Sequence, residues 1–309
     1  MAEAPAQPSG FDTLSSGGQY SWKEQAADHA KYLAKTRAWP AISQAARAID
    51  LEALRRELAA GVAVDLLNGP GGQTPLQHVC IASNASLVYQ RGGTDAYCRW
   101  KGASPQRRRD IDEGIDADRA ACCALLLEHG ASLNPVPVRF RSPPLVAAAS
   151  ASSLAVVNML LAAGCDANVM APEPMLWTAL HMAVMSKGWH MAAIADALLK
   201  AGADANPPVL GGKTLMELAI GSRRRRLWPV LLRGGSILPP REHTLNWAYY
   251  NTQRAHPYLQ KIDAAGSWAA HEKAHRAALQ AIFAPKFTHL VPPELVARIV
   301  EYSFHLGFY

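Results

Sequence analysis

The sharpest chemical pattern in the chain is His271-Glu272-Lys273-Ala274-His275, which spells H-E-x-x-H. On a helix this spacing puts two imidazoles on one face, where they can hold zinc while the glutamate activates a water for hydrolysis. Two runs of cations follow in interest. Arg223, Arg224, Arg225 and Arg226 stand together and suit an acidic partner or a nuclear import receptor, whereas Arg107, Arg108 and Arg109 are offset by Asp110, Asp112, Glu113, Asp116 and Asp118. A run so neutralised is a poor site for nucleic acid. The five cysteines (Cys80, Cys98, Cys122, Cys123, Cys165) are odd in number and lack a paired-knuckle spacing. Reduced thiols in a cytoplasmic or nuclear protein are therefore expected.

Half of the 309 residues are hydrophobic and only 18% are charged, which excludes global disorder and leaves material for a sizeable core. The net charge of +6 is thin over such a length, so composition gives no support to nucleic-acid binding. Residues 1–20, rich in Ala, Pro, Ser and Gly, read as a disordered leader rather than a targeting signal. The longest uncharged stretch, 142–165, has the length of a membrane span. It is interrupted by Pro143, Pro144, Ser150, Ser152, Ser153 and Asn158, and no membrane insertion is expected.

What would have to position any of these groups is an internal repeat. Leu126-Leu127-Glu128-His129-Gly130-Ala131-Ser132-Leu133-Asn134 recurs as Leu160-Leu161-Ala162-Ala163-Gly164-Cys165-Asp166-Ala167-Asn168, and again as Leu198-Leu199-Lys200-Ala201-Gly202-Ala203-Asp204-Ala205-Asn206. The glycines lie 34 and 38 residues apart, and a weaker copy ends at Leu231-Leu232-Arg233-Gly234, 32 residues on. A second signature keeps the same beat upstream: Thr74-Pro75-Leu76-Gln77, Pro143-Pro144-Leu145-Val146, Thr178-Ala179-Leu180-His181 and Lys213-Thr214-Leu215-Met216. Each part has mechanical work to do. Threonine caps a helix start, proline fits its first turn, and glycine ends a helix by turning left-handed.

These two signatures in phase resemble the ankyrin repeat, whose period is about 33 residues. The resemblance implies an all-α solenoid of helix-turn-helix hairpins. A degenerate first unit is visible from Ala41 to Asp65, so the array is expected to cover residues 41–240 in about five repeats. Gly61 and Gly130 are 69 residues apart with one Thr-Pro-Leu signature between them. Either the second repeat carries an insertion or a whole repeat has lost its motifs. An insertion at 83–116 is preferred, since that stretch shows no helix-pair pattern while 118–128 reads as a second helix. Residues 21–40 are expected to form an N-terminal capping helix and 241–309 a C-terminal helical cap.

The resemblance further implies a monomeric, non-enzymatic adaptor or scaffold with no cofactor or metal of its own, which binds another protein through the tips of its turns. The tip residues suited to that task are Arg139, Phe140, Arg141, Met175, Trp177 and Lys213. Trp177 and Phe140 have the alternative of folding back onto their own helices. His181 occupies the motif's histidine position and is expected to hydrogen-bond the turn.

Two alternatives lie near the end of the chain. Glu294 follows His275 by nineteen residues, a separation similar to that of the third ligand in gluzincin peptidases. Lys273 and Arg276 bring positive charge to that would-be cation site, and no strand-rich segment precedes it. Residues 290–299 resemble the opening of an F-box, and their place after the repeats is similar to that of a SOCS box; either would make the chain a substrate receptor of a ubiquitin ligase. The plainer expectation is an amphipathic helix packing Leu295, Val296, Ile299, Val300 and Phe304 on the array.

Overall fold

The computed structural model describes residues 39–68, 72–134, 142–172, 176–186, 188–207, 213–240 and 250–287, together with 292, 294–296, 298 and 299. The leader at 1–20 and almost all of the capping segment at 21–40 lie outside these residues. Among the described residues the elements are helical, with one isolated antiparallel bridge between Met170 and Thr178.

The first hairpin pairs α1 (Ala41–Ala48) with α2 (Leu51–Ala59). The second starts with α3 (Pro75–Ile81), continues through α4 (Asn84–Gly102) and returns along α5 (Pro105–Glu128). Three more follow: α6 (Pro144–Ser150) with α7 (Leu154–Ala162), α8 (Ala179–Met185) with α9 (Met191–Lys200), and α10 (Leu215–Gly221) with α11 (Trp228–Arg233), the last entered by a 3-10 turn at Arg225–Leu227. The chain then forms α12 (Tyr250–Arg254), α13 (Pro257–Ala264) and α14 (Trp268–Phe287).

These helices pack in two rows. α1, α3, α6, α8, α10 and α12 lie side by side in chain order, and α2, α5, α7, α9, α11 and α14 form the second row. The C-terminal helices thus extend both rows past the last repeat signature. The first row is short and densely buried: Pro144 to Ala149 in α6 and Ala179 to Val184 in α8 all lie out of solvent. Alanines at 147, 148, 149, 179 and 183 let these helices approach closely. In the second row each helix sends its leucine inward, with Leu126, Leu160, Leu198 and Leu231 fully buried.

Each second helix ends in a glycine of the left-handed region: Gly61, Gly130, Gly164, Gly202 and Gly235 have φ between 81° and 97°. This corrects the register of the last copy. Gly234, the residue marked by the sequence pattern, keeps an ordinary φ of −72°, and Gly235 makes the turn, 33 residues after Gly202. The residue after each of these last four glycines closes the same loop, as when Cys165 N–H donates to Leu160 O (3.0 Å) and Ser236 N–H to Leu231 O (2.9 Å).

A second difference concerns 83–116, which shows no helix-pair pattern in sequence and is helical in the structure. α4 packs against α5 outside both rows, and α5 runs on into the row to serve as the second helix of its repeat. The pattern is weak because the two helices are held by lateral ties rather than a broad apolar face. Trp100 Nε1 donates to Asp112 Oδ1 (3.1 Å), and Arg108 Nη2 donates to the carbonyl of Lys101 (2.6 Å). Gly92 and Gly93 interrupt α4, and Gly93, at φ 65° and ψ −161°, occupies a region open essentially to glycine alone.

Leu160 is fully buried between neighbouring hairpins. Leu160→Ala is expected to cost about 2–5 kcal/mol of stability, read as a fall in the urea midpoint, and a shift near zero would contradict the packing described.

Candidate functional site

The surface available for recognition is what remains after each repeat has satisfied its own backbone. At the start of the first helices three threonines do similar work. Thr74 Oγ1 accepts from Gln77 N–H (3.3 Å) while Gln77 Oε1 accepts from Thr74 N–H (2.9 Å). Thr214 and Glu217 repeat that exchange. In the third case His181 stands where glutamine or glutamate stands in the others, and its Nδ1 accepts from Thr178 N–H (3.0 Å). An imidazole that accepts there must be neutral at Nδ1, and burial lowers its pKa to about 4. The motif histidine is therefore a capping residue of the turn.

At the other end of each hairpin, asparagines bind one repeat to the next. Asn168 Nδ2 donates to Gly202 O (3.0 Å) and Asn168 Oδ1 accepts from Asp204 N–H (2.7 Å). Asn206 repeats both bonds one unit later, to Gly235 O (3.0 Å) and from Ile237 N–H (2.9 Å). Asp166 and Asp204 accept from the asparagine backbone two residues on. These side chains, polar and exposed in part, are held by structure.

The turn tips carry the sequence-predicted contacts. Between α7 and α8 the chain doubles back, with Ala171 N–H donating to Trp177 O (2.8 Å) and Leu176 in the left-handed region at φ 47°. Trp177 is half-buried and packs against the core, and Met170, bridged to Thr178, is 47% exposed. Lys213 sits half-buried before the cap of α10. Arg139, Phe140, Arg141 and Met175 lie outside the described residues.

The opposite edge holds features the sequence marked without placing. Three of the five turns joining first to second helices share one form: Ile49, Ser152 and Arg223 have φ between 56° and 59°, each followed by a residue bonding five positions back. An arginine there costs roughly 1–2 kcal/mol of backbone strain that glycine would avoid. Arg223 to Arg226 also stand at the positive end of α11, which is unfavourable by about 0.3–1 kcal/mol per exposed cation. Arg225 Nε donates to Gln253 Oε1 (3.1 Å), and burial draws the Arg224 pKa down. The α4–α5 hairpin leans along this same edge. Arg109 stacks over Trp189 at 4.7 Å, and a polar cleft of about 190 Å³ lies between α5 and the turns at Ser152 and Gly188.

The H-E-x-x-H motif lies on α14. His271 and His275 stack with ring centroids 6.0 Å apart, and Trp268 and Tyr258 flank His271. Glu272 Oε1 accepts from Arg276 Nη2 (2.9 Å) and lies 3.8 Å from Arg233 Nε, so the carboxylate is engaged by two guanidiniums. Burial first, then the neighbouring His275 and Lys261, lowers the pKa of His271. Among the described residues, Glu294 included, no three histidine, cysteine or acidic side chains gather as a metal-holding group. Of the segment 290–299 few residues are described, and no family match supports an F-box or SOCS box there: Val296 is buried, whereas Leu295 and Ile299 are 41% and 51% exposed.

A family model of the ankyrin repeat matches residues 175–208, the stretch from the tip before α8 through the α8–α9 hairpin. No curated protein matches the chain. Among the described residues no helix is long and apolar enough to cross a membrane.

The lowered pKa of His181 has a definite sign in stability. The unfolded chain takes up its proton near pH 6.5 and the folded chain near pH 4, so the neutral cap contributes fully above pH 6.5 and its contribution falls away between those values. The loss by pH 4 is at most about 3 kcal/mol. His181→Gln, which restores the pairing seen at Thr74 and Gln77, is expected to flatten the dependence of the urea midpoint on pH between 7 and 4; an unchanged slope would assign that dependence to other groups.

Proposed function

We propose that the protein is a protein-binding module: ankyrin-type hairpins stacked as a solenoid, closed at its C-terminal end by the helices of 241–309, acting as an adaptor or scaffold. The observation that carries this reading is the destination of the polar motif residues. Thr74, Gln77, Thr178, His181, Thr214, Glu217, Asn168 and Asn206 each bond backbone, which leaves their chemistry structural. The family match over 175–208 supports the same conclusion, because repeats of this kind typically hold other proteins.

In this reading the chain carries out no reaction and uses no cofactor or metal. The engagement of Glu272 by Arg233 and Arg276 weighs against a peptidase, which would need that carboxylate to take a proton from water. A monomer in the cytoplasm or nucleus is proposed, with four of the five thiols buried and Cys80, Cys122, Cys123 and Cys165 held protonated by burial. The partner meets Arg139, Phe140, Arg141, Met175, Trp177 and Lys213 along the tips.

Affinity capture with the full chain tests that surface. Met175→Ala/Trp177→Ala is expected to weaken the captured partner by roughly tenfold or more. Because Trp177 also touches the core, Lys213→Glu serves as a second variant, with the urea midpoint of each variant measured beside its capture. Partner sets identical to wild type in both variants would move recognition away from the tips.

A further inference from the structure

Positive charge is concentrated at one end of this protein. Residues 213–276 hold eleven Lys and Arg against four Asp and Glu, an excess of seven, while the rest of the chain has twenty against twenty-one. The described acids of that segment face inward. Glu217 is buried in the cap of α10, Asp263 receives two bonds from buried Arg254 (2.9 and 2.8 Å), and Glu272 lies between Arg233 and Arg276. Arg223, Arg225, Arg226, Lys261 and Lys273 are exposed.

Four of the surplus cations fall on a single turn whose geometry asks for something else. Ser152 fills the same left-handed position two hairpins earlier at no cost in charge, and glycine would fill it with less strain. The left-handed backbone at Arg223 and the fourfold charge at a helix start are both unfavourable locally, and residues kept against a local preference mark function. The turn has an aromatic neighbour. The 3-10 turn Arg225–Leu227 packs on α9, and two residues before α9 stands Trp189, 42% exposed and stacked by Arg109.

We propose that the edge formed by Arg223–Arg226 and Trp189 docks an acidic segment of a partner protein. This deepens the protein-binding reading and rests on it, while placing a second contact on the edge opposite the tips. Arginine and tryptophan are the residues that anchor protein interfaces, and guanidinium forks pair with carboxylates. A polynucleotide fits less well. Its charge continues past any one turn and would run beyond the four cations gathered here.

The test uses the full chain and fluorescence anisotropy of a fluorescein-labelled oligo-glutamate peptide. Wild type is expected to bind it with an affinity that falls as salt rises. Arg224→Gln combined with Arg226→Gln, which keeps the bond from Arg225 to Gln253, is expected to weaken it by about tenfold or more while keeping the circular dichroism spectrum of wild type. Arg55→Gln/Arg56→Gln, which removes two cations from α2, is expected to bind like wild type. Equal binding by the turn variant, no binding by wild type, or tighter binding of a single-stranded oligonucleotide of equal charge would each overturn the proposal. None of these outcomes alters the capture experiment on Trp177 and Lys213, so the two readings fail separately.

Discussion

No hairpin in this chain can close a core by itself, because a first helix such as α6 or α8 buries six of its seven side chains and its own second helix covers only one side. The remaining flank must be covered by the next hairpin. Two features follow from that need: alanine where two first helices touch, and leucine pointing inward from the second row. Beyond the last repeat signature the contacts are aromatic. Trp228 lies fully buried, with Tyr258 stacked at 6.4 Å and His256 edge-on at 5.5 Å, and Trp268 continues the cluster.

The same constraint decides what the polar residues do. A hairpin fixed on both flanks leaves backbone groups at its turns, and several of these bond side chains of the adjacent unit. Asn168 and Asn206 each bridge to the following repeat, Asp65 accepts from Ser132 N–H across the second repeat, and Ser236 Oγ donates to Ala205 O. Apolar and polar contacts thus run along the same axis and reinforce one another.

The repeats were legible because their motif residues act locally: a threonine that caps, a glycine that turns left, a leucine at a fixed offset. Four residues of local sequence suffice to read each. The one-residue slip at Gly234 shows the limit, since Gly-Gly offers two candidates and only the loop closed by Ser236 selects Gly235. α4 and the first half of α5 were not legible because no amphipathic stripe announces them, whereas 118–128 read as a helix; Trp100, Asp112 and Arg108 act across a gap that sequence does not measure. The placement of α12 and α14 in the two rows is likewise a tertiary matter. For the candidate surface, the sequence marked Trp177 and Arg223–Arg226 by residue type, but that Trp189 neighbours the arginine turn depends on how α9 meets the 3-10 segment.

Arg119 closes the base of the α4–α5 hairpin. Its guanidinium, almost wholly withdrawn from solvent, donates to Ala82 O (2.6 Å) and Asn84 Oδ1 (2.9 Å) on the outgoing strand of chain and to Asp116 Oδ1 (3.3 Å) on the returning one. One side chain thereby clasps α5 to the turn between α3 and α4, so the stem of the hairpin hangs on a single guanidinium, and losing it would leave a carbonyl and an amide oxygen there without their donor.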